Sequence, residues 1–267
     1  QGTAMALAPA YLPALLIGQN SLLWLAGLLA ALAALRSGRW ILAGVLIGCL
    51  TLKPQLGLMI PLALLAAGLW RTILAASATT ILLAALPTLA FGPEYWPLLA
   101  ERLSEHSERL LFSINDLFLS VGPFYLGTLV GLSAELALKL QWVVTAAAAL
   151  AVLMFWRSDR IGFDAKAALL MIAILLSAPY LWYYETAMMA TVGLFMTRAG
   201  ILTTSPPHLV FLLLLWFAAG FQAINIYLDI LPEDFPGAVV ITPVLFVSLA
   251  LCLRHVLTTR RPATGPA

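Results

Sequence analysis

The chain has 267 residues, of which 63% are hydrophobic and only 10% are charged, and its mean hydropathy is +1.00. A soluble domain is roughly half apolar and a quarter charged, so this composition excludes an ordinary soluble fold and predicts that lipid is the main solvent. The formal net charge is only +2, so the placement of the charges along the chain is more informative than their sum.

Apolar runs bounded by charged residues, proline, glycine or tryptophan are the candidate membrane spans, and there are about ten of them. Several are shorter than the roughly 20 residues that a perpendicular helix needs to cross ~30 Å of hydrocarbon, which predicts tilted, broken or partly re-entrant helices. The sequence therefore predicts an all-α polytopic bundle with one transmembrane domain over residues 1–257. The runs are 4–17, 20–35, 40–52, 56–69, 73–92, 140–156, 165–179, 184–197, 209–228 and 237–253.

The basic residues sort onto one side of the membrane if the chain crosses it at every run. The loops near 36–39, 70–72, 157–166 and 198–208 and the tail after 253 then share a side that holds ten of the fourteen Lys and Arg residues. The positive-inside rule makes this side cytoplasmic. The other side, external or periplasmic, receives four basic residues.

The segment 40–71 must cross the membrane twice on this path, because Arg39 and Arg71 both lie in cytoplasmic loops. Pro54 favours a turn in the middle of the segment, since proline lacks an amide donor and disfavours helix at the preceding Lys53. One long helix with a buried lysine is the alternative, and it breaks the charge sorting.

The longest polar interruption, 93–138, is predicted to be an external loop. Within it, 95–112 has the periodicity of an amphipathic helix that lies along the outer membrane surface. Glu105 and His106 are residue types that serve as general bases, although a solvated helix face is the commoner explanation for such residues. The C-terminal tail, 258–267, is predicted to be disordered and cytoplasmic.

Lys53 is the clearest candidate for chemistry. Its ammonium could bind a phosphate or pyrophosphate at the headgroup level, or it could extend to lipid headgroups with no other role. Gln19 and Asn20 could bind sugar hydroxyls, and Asn20 could equally cap a helix that begins at Ser21. Gln55, in the same turn as the lysine, is a further candidate for substrate binding.

An aromatic run near 180 is the other candidate binding surface. Tyr180, Trp182 and Tyr184 could stack on sugar rings, or they could form an ordinary interfacial belt. Glu185 beside them is a candidate ligand contact or proton carrier. No metal-binding, P-loop, nucleophile-elbow or dinucleotide motif is found, so no metal, cofactor or nucleic-acid partner is predicted, and a nucleotide-driven cytosolic enzyme is disfavoured.

Four blocks of sequence follow one another in a recognisable order. They are Gly18-Gln19-Asn20, Ala43-Gly44-Val45-Leu46-Ile47-Gly48 running into Thr51-Leu52-Lys53-Pro54-Gln55, Phe91-Gly92-Pro93-Glu94-Tyr95-Trp96, and Ser177-Ala178-Pro179-Tyr180. Together, over nearly the whole chain, they resemble glycosyltransferase family 87, which includes mycobacterial polyprenyl-phosphomannose-dependent mannosyltransferases.

The resemblance implies a GT-C fold that moves a hexose, with mannose as the expected sugar, from a polyprenyl-phosphate carrier to a lipid or glycan acceptor. The transfer would take place on the non-cytoplasmic face of a bacterial plasma (inner) membrane, among membrane lipids. The lipid-linked sugar would be a co-substrate and not a bound cofactor. The resemblance implies that Lys53 binds the phosphate of the donor and that Gln19 orients its sugar.

Two departures from the family pattern limit what the resemblance implies. The catalytic Asp of GT-C enzymes lies in the first external loop, so it is expected N-terminal to this chain, and residues 1–267 alone are expected to be inactive. Many relatives have an Asp- or His-containing stretch after the Ala-Pro-Tyr block, where this chain has Tyr183-Tyr184-Glu185, so the acceptor or donor chemistry there is expected to differ.

A transporter or flippase for a lipid-linked substrate is the alternative function, because broken helices with polar turns are also typical of transporters. Against it, the polar residues gather at one face and not at the bilayer midplane, and no inverted repeat is visible.

Overall fold

The computed structural model describes residues 7–112, 119–179, 181–228, 230–231 and 235–259. These residues form a helical bundle with one pair of two-residue strands, β1 (Ser120–Val121) and β2 (Leu181–Trp182). The helices are α1 (Leu12–Leu16), α2 (Ser21–Arg36), α3 (Trp40–Cys49), α4 (Met59–Ala66), α5 (Trp70–Phe91), α6 (Tyr95–Phe112), α7 (Pro123–Leu129), α8 (Ala134–Arg157), α9 (Phe163–Ser177), α10 (Met189–Arg198), α11 (Pro206–Leu228) and α12 (Ala238–Thr259).

The predicted all-α membrane bundle is confirmed, and every predicted run holds helical residues in its described part. The number of ten spans is not confirmed. Among the described residues only four helices, α5, α8, α11 and α12, are long and apolar enough to cross a membrane unaided. Apart from the amphipathic α6, the others are short, and glycine or proline lies close to most of their ends, as the sequence predicts for broken helices.

The core is centred on α9, whose residues from Ala167 to Ser177 are all buried. This helix packs against α8 and α10 along much of its length and also against α12 and α4. Its burial on all sides explains why its sequence is apolar without an amphipathic period. The remaining helices are layered around it, with α5 at the periphery, where no residue of its most apolar window is buried.

The segment 40–71 folds as a hairpin. The hydroxyl group of Thr72 donates a hydrogen bond to the carbonyl oxygen of Trp40 at 3.0 Å, so the start of α5 lies at the level of the start of α3. The chain has therefore gone out along α3 and returned along α4. This geometry excludes the single long helix. It provides the out-and-back path that a double crossing requires, and the crossing itself stays a prediction from Arg39 and Arg71.

Two glycines allow α3 and α5 to pack closely in parallel. A methyl group added at Gly44 would overlap Ala75 and Thr72, and one added at Gly48 would overlap Thr79. Small residues four positions apart permit such close approach of two helix backbones in lipid. The Gly44 and Gly48 positions in the second sequence block are thus explained by helix packing.

Charged side chains mark the two ends of the bundle. At one end Arg36, which closes α2, pairs with Asp164 at 2.8 Å, and Arg198, which closes α10, pairs with the same carboxylate at 3.3 Å. At the other end Ser21, which begins α2, accepts a hydrogen bond from Lys53. The 16 residues of α2 place these ends about 24 Å apart. The loops that meet at Asp164 are those that the charge sorting assigned to one side.

The predicted external segment contains helices in its described part. The amphipathic helix over 95–112 is confirmed as α6, and Trp96 anchors it to α5 by donating its indole N–H to Thr88 at 2.8 Å. The residues after it are not an open loop throughout, because α7 is buried against α8. The side-chain oxygen of Gln141 accepts the backbone N–H of Phe124 at 3.1 Å, which satisfies one of the free amides at the start of α7.

The predicted disordered tail, 258–267, begins inside α12, which continues to Thr259. Residues 260–267 lie outside the described part of the chain.

Candidate functional site

The candidate site is built around the turn between α3 and α4. After Cys49 the chain tightens into a 3-10 turn, becomes extended at Lys53, and enters a second 3-10 turn at Pro54. The indole N–H of Trp24 donates to the carbonyl oxygen of Leu50 at 2.9 Å and ties the turn to α2. Lys53 itself is 8% exposed, so the turn directs its ammonium into the protein.

Three groups lie around the Lys53 ammonium: a hydroxyl, a carboxylate and an aromatic ring. It donates to the hydroxyl oxygen of Ser21 at 2.8 Å, lies 3.3 Å from a carboxylate oxygen of Glu185, and stands 5.2 Å from the ring centroid of Tyr184. A lysine has three N–H donors, and a cation is also attracted to an aromatic face. In this arrangement Lys53 is held within the protein and does not extend to lipid headgroups.

Glu185 links the lysine to the aromatic run. One of its oxygens meets Lys53, and the other accepts the backbone N–H of Trp182 at 3.2 Å. Its side chain is 2% exposed, so both charges of the pair are removed from solvent. A buried carboxylate needs such partners, because an isolated charge is costly to remove from water.

The strand pair fixes the position of Trp182. Antiparallel pairing sets Trp182 opposite Ser120, which joins the aromatic run to the segment before α7. The rings of Trp182 and Tyr184 are nearly parallel, with centroids 6.1 Å apart and planes at 17°. Both residues are half-buried. The site therefore combines a buried ion pair with two aligned aromatic rings.

The predicted polar neighbours are less engaged. Asn20 is the residue before α2, yet its side chain makes no capping hydrogen bond, so capping does not explain it in this structure. Gln55 and Asn20 are exposed and Gln19 is half-buried, and none of the three has a side-chain hydrogen bond among the described residues. Tyr180 lies outside the described residues.

Of the two candidate bases on α6, only Glu105 has a described side chain, and it is not part of the ion-pair cluster. Glu105 pairs with Arg102 at 3.1 Å on the helix surface, as residues one turn apart on a solvated face do. The side chain of His106 lies outside the described part of the structure. Among the described residues, no group of three His, Cys, Asp or Glu side chains could hold a metal ion.

Two apolar cavities flank the Lys53 turn, and the lysine lines neither of them. The larger, of about 590 Å³, lies between the α3–α4 hairpin and α5, and it reaches from Thr51 and Pro54 to Leu64 and Ile73. The smaller, of about 230 Å³, lies between α2 and α3 and has Asn20 at its rim. The polar Lys53 turn therefore lies between two apolar cavities.

Ser21 is a member of the site that the sequence did not indicate. It is the closest partner of the Lys53 ammonium, but in the sequence it is one serine at the start of an apolar run. The one indication in the sequence is that Ser21 is a polar residue at the first helical position of the apolar run 20–35.

Comparison with known proteins identifies a family. The model of glycosyltransferase family 87 matches residues 2–181, two thirds of the chain, including the Lys53 turn. The match ends one residue before Trp182, so Glu185 lies beyond it. No curated protein and no solved structure matches the chain significantly. A match of this extent shows that the chain belongs to glycosyltransferase family 87.

Proposed function

We propose that this membrane glycosyltransferase moves a hexose, with mannose as the expected sugar, from a polyprenyl-phosphate carrier to a lipid or glycan acceptor on the non-cytoplasmic face. Family membership supports transfer of a sugar, and the apolar helices support a lipid-soluble substrate. The observation that carries the proposal is the buried Lys53, held at a break between two short helices inside the family-matched region.

Lys53 fits the leaving-group side of such a transfer. Displacement at the anomeric carbon releases the lipid phosphate, and negative charge builds on its oxygens as the bond breaks. A preorganised cation stabilises that charge in the transition state. The ammonium contact to Glu185 is longer than that to Ser21, 3.3 Å against 2.8 Å, so the phosphate would replace Glu185 while Ser21 keeps the ammonium oriented.

Glu185 is poorly placed to act as the acceptor base. One carboxylate oxygen is paired with Lys53, the other holds the Trp182 amide, and the side chain is almost fully buried. A general base must reach the proton that it removes. We therefore propose that Glu185 holds Lys53 and the Trp182 amide until the donor phosphate replaces it, and that the base comes from outside this cluster, in keeping with the first-loop Asp expected for the family.

The two aligned rings are the proposed sugar contact. The Tyr184 ring contacts the Lys53 ammonium, and the Trp182 amide is bound to Glu185, which pairs with the same ammonium. A sugar attached to a phosphate at Lys53 would therefore pass close to both rings. Flat aromatic faces bury the apolar face of a sugar ring while leaving its hydroxyls free. Gln19, two residues before Ser21, is the proposed hydroxyl ligand at the same end of the bundle.

The test is transfer of radiolabelled hexose in membranes that contain the full-length protein. Label should pass from polyprenyl-phosphate hexose to an acceptor, and membranes lacking the protein should show no such product. Nucleotide-linked sugar, given without the polyprenyl carrier, should not serve as donor. Movement of the lipid-linked sugar across the bilayer without transfer would instead support the transporter alternative.

A further inference from the structure

The opposite end of the bundle contains a small cavity with an unusual lining. It has a volume of about 330 Å³ and lies where the tight turn between α4 and α5 meets the start of α3. Two tryptophans form part of its wall, and Trp40 and Trp70 are respectively 36% and 61% exposed. The lining residues are Trp40, Gly68, Leu69, Trp70, Arg71 and Thr72.

Arg71 lines this cavity, and a second exposed arginine is the chain neighbour of one of its tryptophans. Arg39 directly precedes Trp40 and Arg71 directly precedes Thr72, and those two neighbours are joined by the hydrogen bond that closes the hairpin. Both guanidinium-bearing residues are exposed, and within the described ranges neither takes part in an ion pair. Arg36 differs, because Asp164 already neutralises it.

Helix stability does not account for this placement. Arg39 is the residue before α3 and Arg71 lies in the first turn of α5, and a positive charge near a helix start opposes the helix dipole. No acidic residue occupies the first turn of either helix. The surface thus concentrates positive charge, and its two indoles are of the kind that lies at the membrane interface.

We propose that this cavity binds the headgroup of an anionic phospholipid. The two guanidinium groups would contact the phosphate, for which their fork of N–H donors is suited, and the indoles would lie against the glycerol and the first methylene groups. Basic pockets at the ends of membrane helices bind anionic headgroups in this way. The proposal concerns the Asp164 end of the molecule and is independent of the sugar chemistry at Lys53.

The test measures lipid binding by the purified, detergent-solubilised protein. Phosphatidylglycerol should raise the melting temperature, and native mass spectrometry should show a bound lipid, while phosphatidylcholine should do neither. Each arginine near a charged lipid surface contributes enough that R39Q or R71Q should weaken phosphatidylglycerol binding about fivefold, and the double variant about thirtyfold.

The matched control is the double variant R157Q/R160Q. These exposed arginines belong to the same group of loops but line no cavity with tryptophans, so the control should bind phosphatidylglycerol as the wild type does. Equal loss in both double variants would show only a diffuse charge effect and would overturn the proposal. Equal stabilisation by inorganic phosphate would reject a lipid as the occupant. If R39Q/R71Q does not fold, R39K/R71K, which keeps the charge, is used in its place. Undiminished lipid binding by W70L in the same assay would equally reject the cavity.

Discussion

Lys53 and Glu185 meet at 3.3 Å although they are 132 positions apart in the chain. Their contact joins the α3–α4 turn to the turn that precedes α10, and Ser21 adds the start of α2 to the same point. Three segments that are remote in sequence are therefore held by one ammonium group. The ion pair must matter for folding as well as for any chemistry, and the predictions below separate the two.

The stability of the pair can be measured with K53M, E185Q and the double variant. Each single change leaves one buried charge without its partner, so each should lower the free energy of unfolding by about 3–5 kcal/mol. The double variant leaves neither charge, so its free energy of unfolding should fall by clearly less than the sum of the decreases in the two single variants. E185Q keeps a carbonyl oxygen for the Trp182 amide. Denaturant titration in detergent micelles provides the measurement.

The exposed pair Lys139–Glu135 is the matched control for this cycle. It has the same charges, one helical turn apart, with side chains 66% and 78% exposed. Its disruption by K139M should cost no more than about 0.5 kcal/mol. Strict additivity of K53M and E185Q would show that the two groups do not stabilise each other.

Sugar transfer should respond in opposite ways to the two members of the pair. If Lys53 binds the leaving phosphate, K53Q should reduce transfer by roughly a hundred- to a thousandfold, since about 2–4 kcal/mol of transition-state stabilisation is lost. K53R should fall between the wild type and K53Q, because it keeps the charge but changes the donor geometry. E185Q should lower the KM for the donor, because the phosphate no longer competes with a carboxylate. Steady-state assays in membranes with the full-length protein measure both parameters.

Near-wild-type transfer by well-expressed K53Q would remove the phosphate role. A donor KM that rises in E185Q would show that the carboxylate assists donor binding and does not compete with it. K139Q, at an exposed lysine, should leave both parameters unchanged.

The orientation of the hairpin can be tested by cysteine labelling in sealed vesicles. Gln55, next to the buried Lys53, and Arg71 are both exposed, so Q55C and R71C are suitable reporters in a C49S background. The charge sorting predicts that Q55C reacts from the external side and R71C from the cytoplasmic side. E94C, beyond the far end of α5, should behave like Q55C. Labelling of Q55C and R71C from the same side would contradict the double crossing.

The close contact between α3 and α5 predicts an unusual response to a conservative change. Gly to Ala normally stabilises a helix by up to about 1 kcal/mol, but G48A would push a methyl group into Thr79. Overpacking of this kind typically costs about 1–3 kcal/mol. G162A, at the residue before α9, is the control for the added methyl group alone, because a methyl group there meets nothing within 4 Å. A melting temperature of G48A at or above that of the wild type would show that the helices separate without cost.

The parts of the fold that follow from local chemistry were predictable from the sequence. The hairpin followed from two arginines and a proline, and α6 from its apolar period, because each signal lies within the segment that it describes. The family followed from four short blocks, and two of their glycines, Gly44 and Gly92, turn out to serve a close helix contact and a helix end with a positive φ.

The composition of the site was less predictable. Lys53 and Glu185 were both singled out, but their pairing was not, because no local pattern specifies which distant segments pack together. Ser21 was missed for the same reason. The buried helix α7 was also unexpected, since its seven residues are too few for a periodic signal and their burial depends on Gln141 in another helix.

The length of α2 has a consequence for where the reaction can take place. Its 16 residues separate Ser21 from Arg36 by about 24 Å, whereas the hydrocarbon layer is ~30 Å thick. If Arg36 and Asp164 lie at one interface, the Lys53 ammonium is expected below the opposite surface, and deeper still if α2 is tilted. A donor anchored by its own lipid tail would approach sideways from the bilayer. The rate of transfer should then depend on acyl-chain length, since a thinner membrane brings its phosphate layer down toward the lysine.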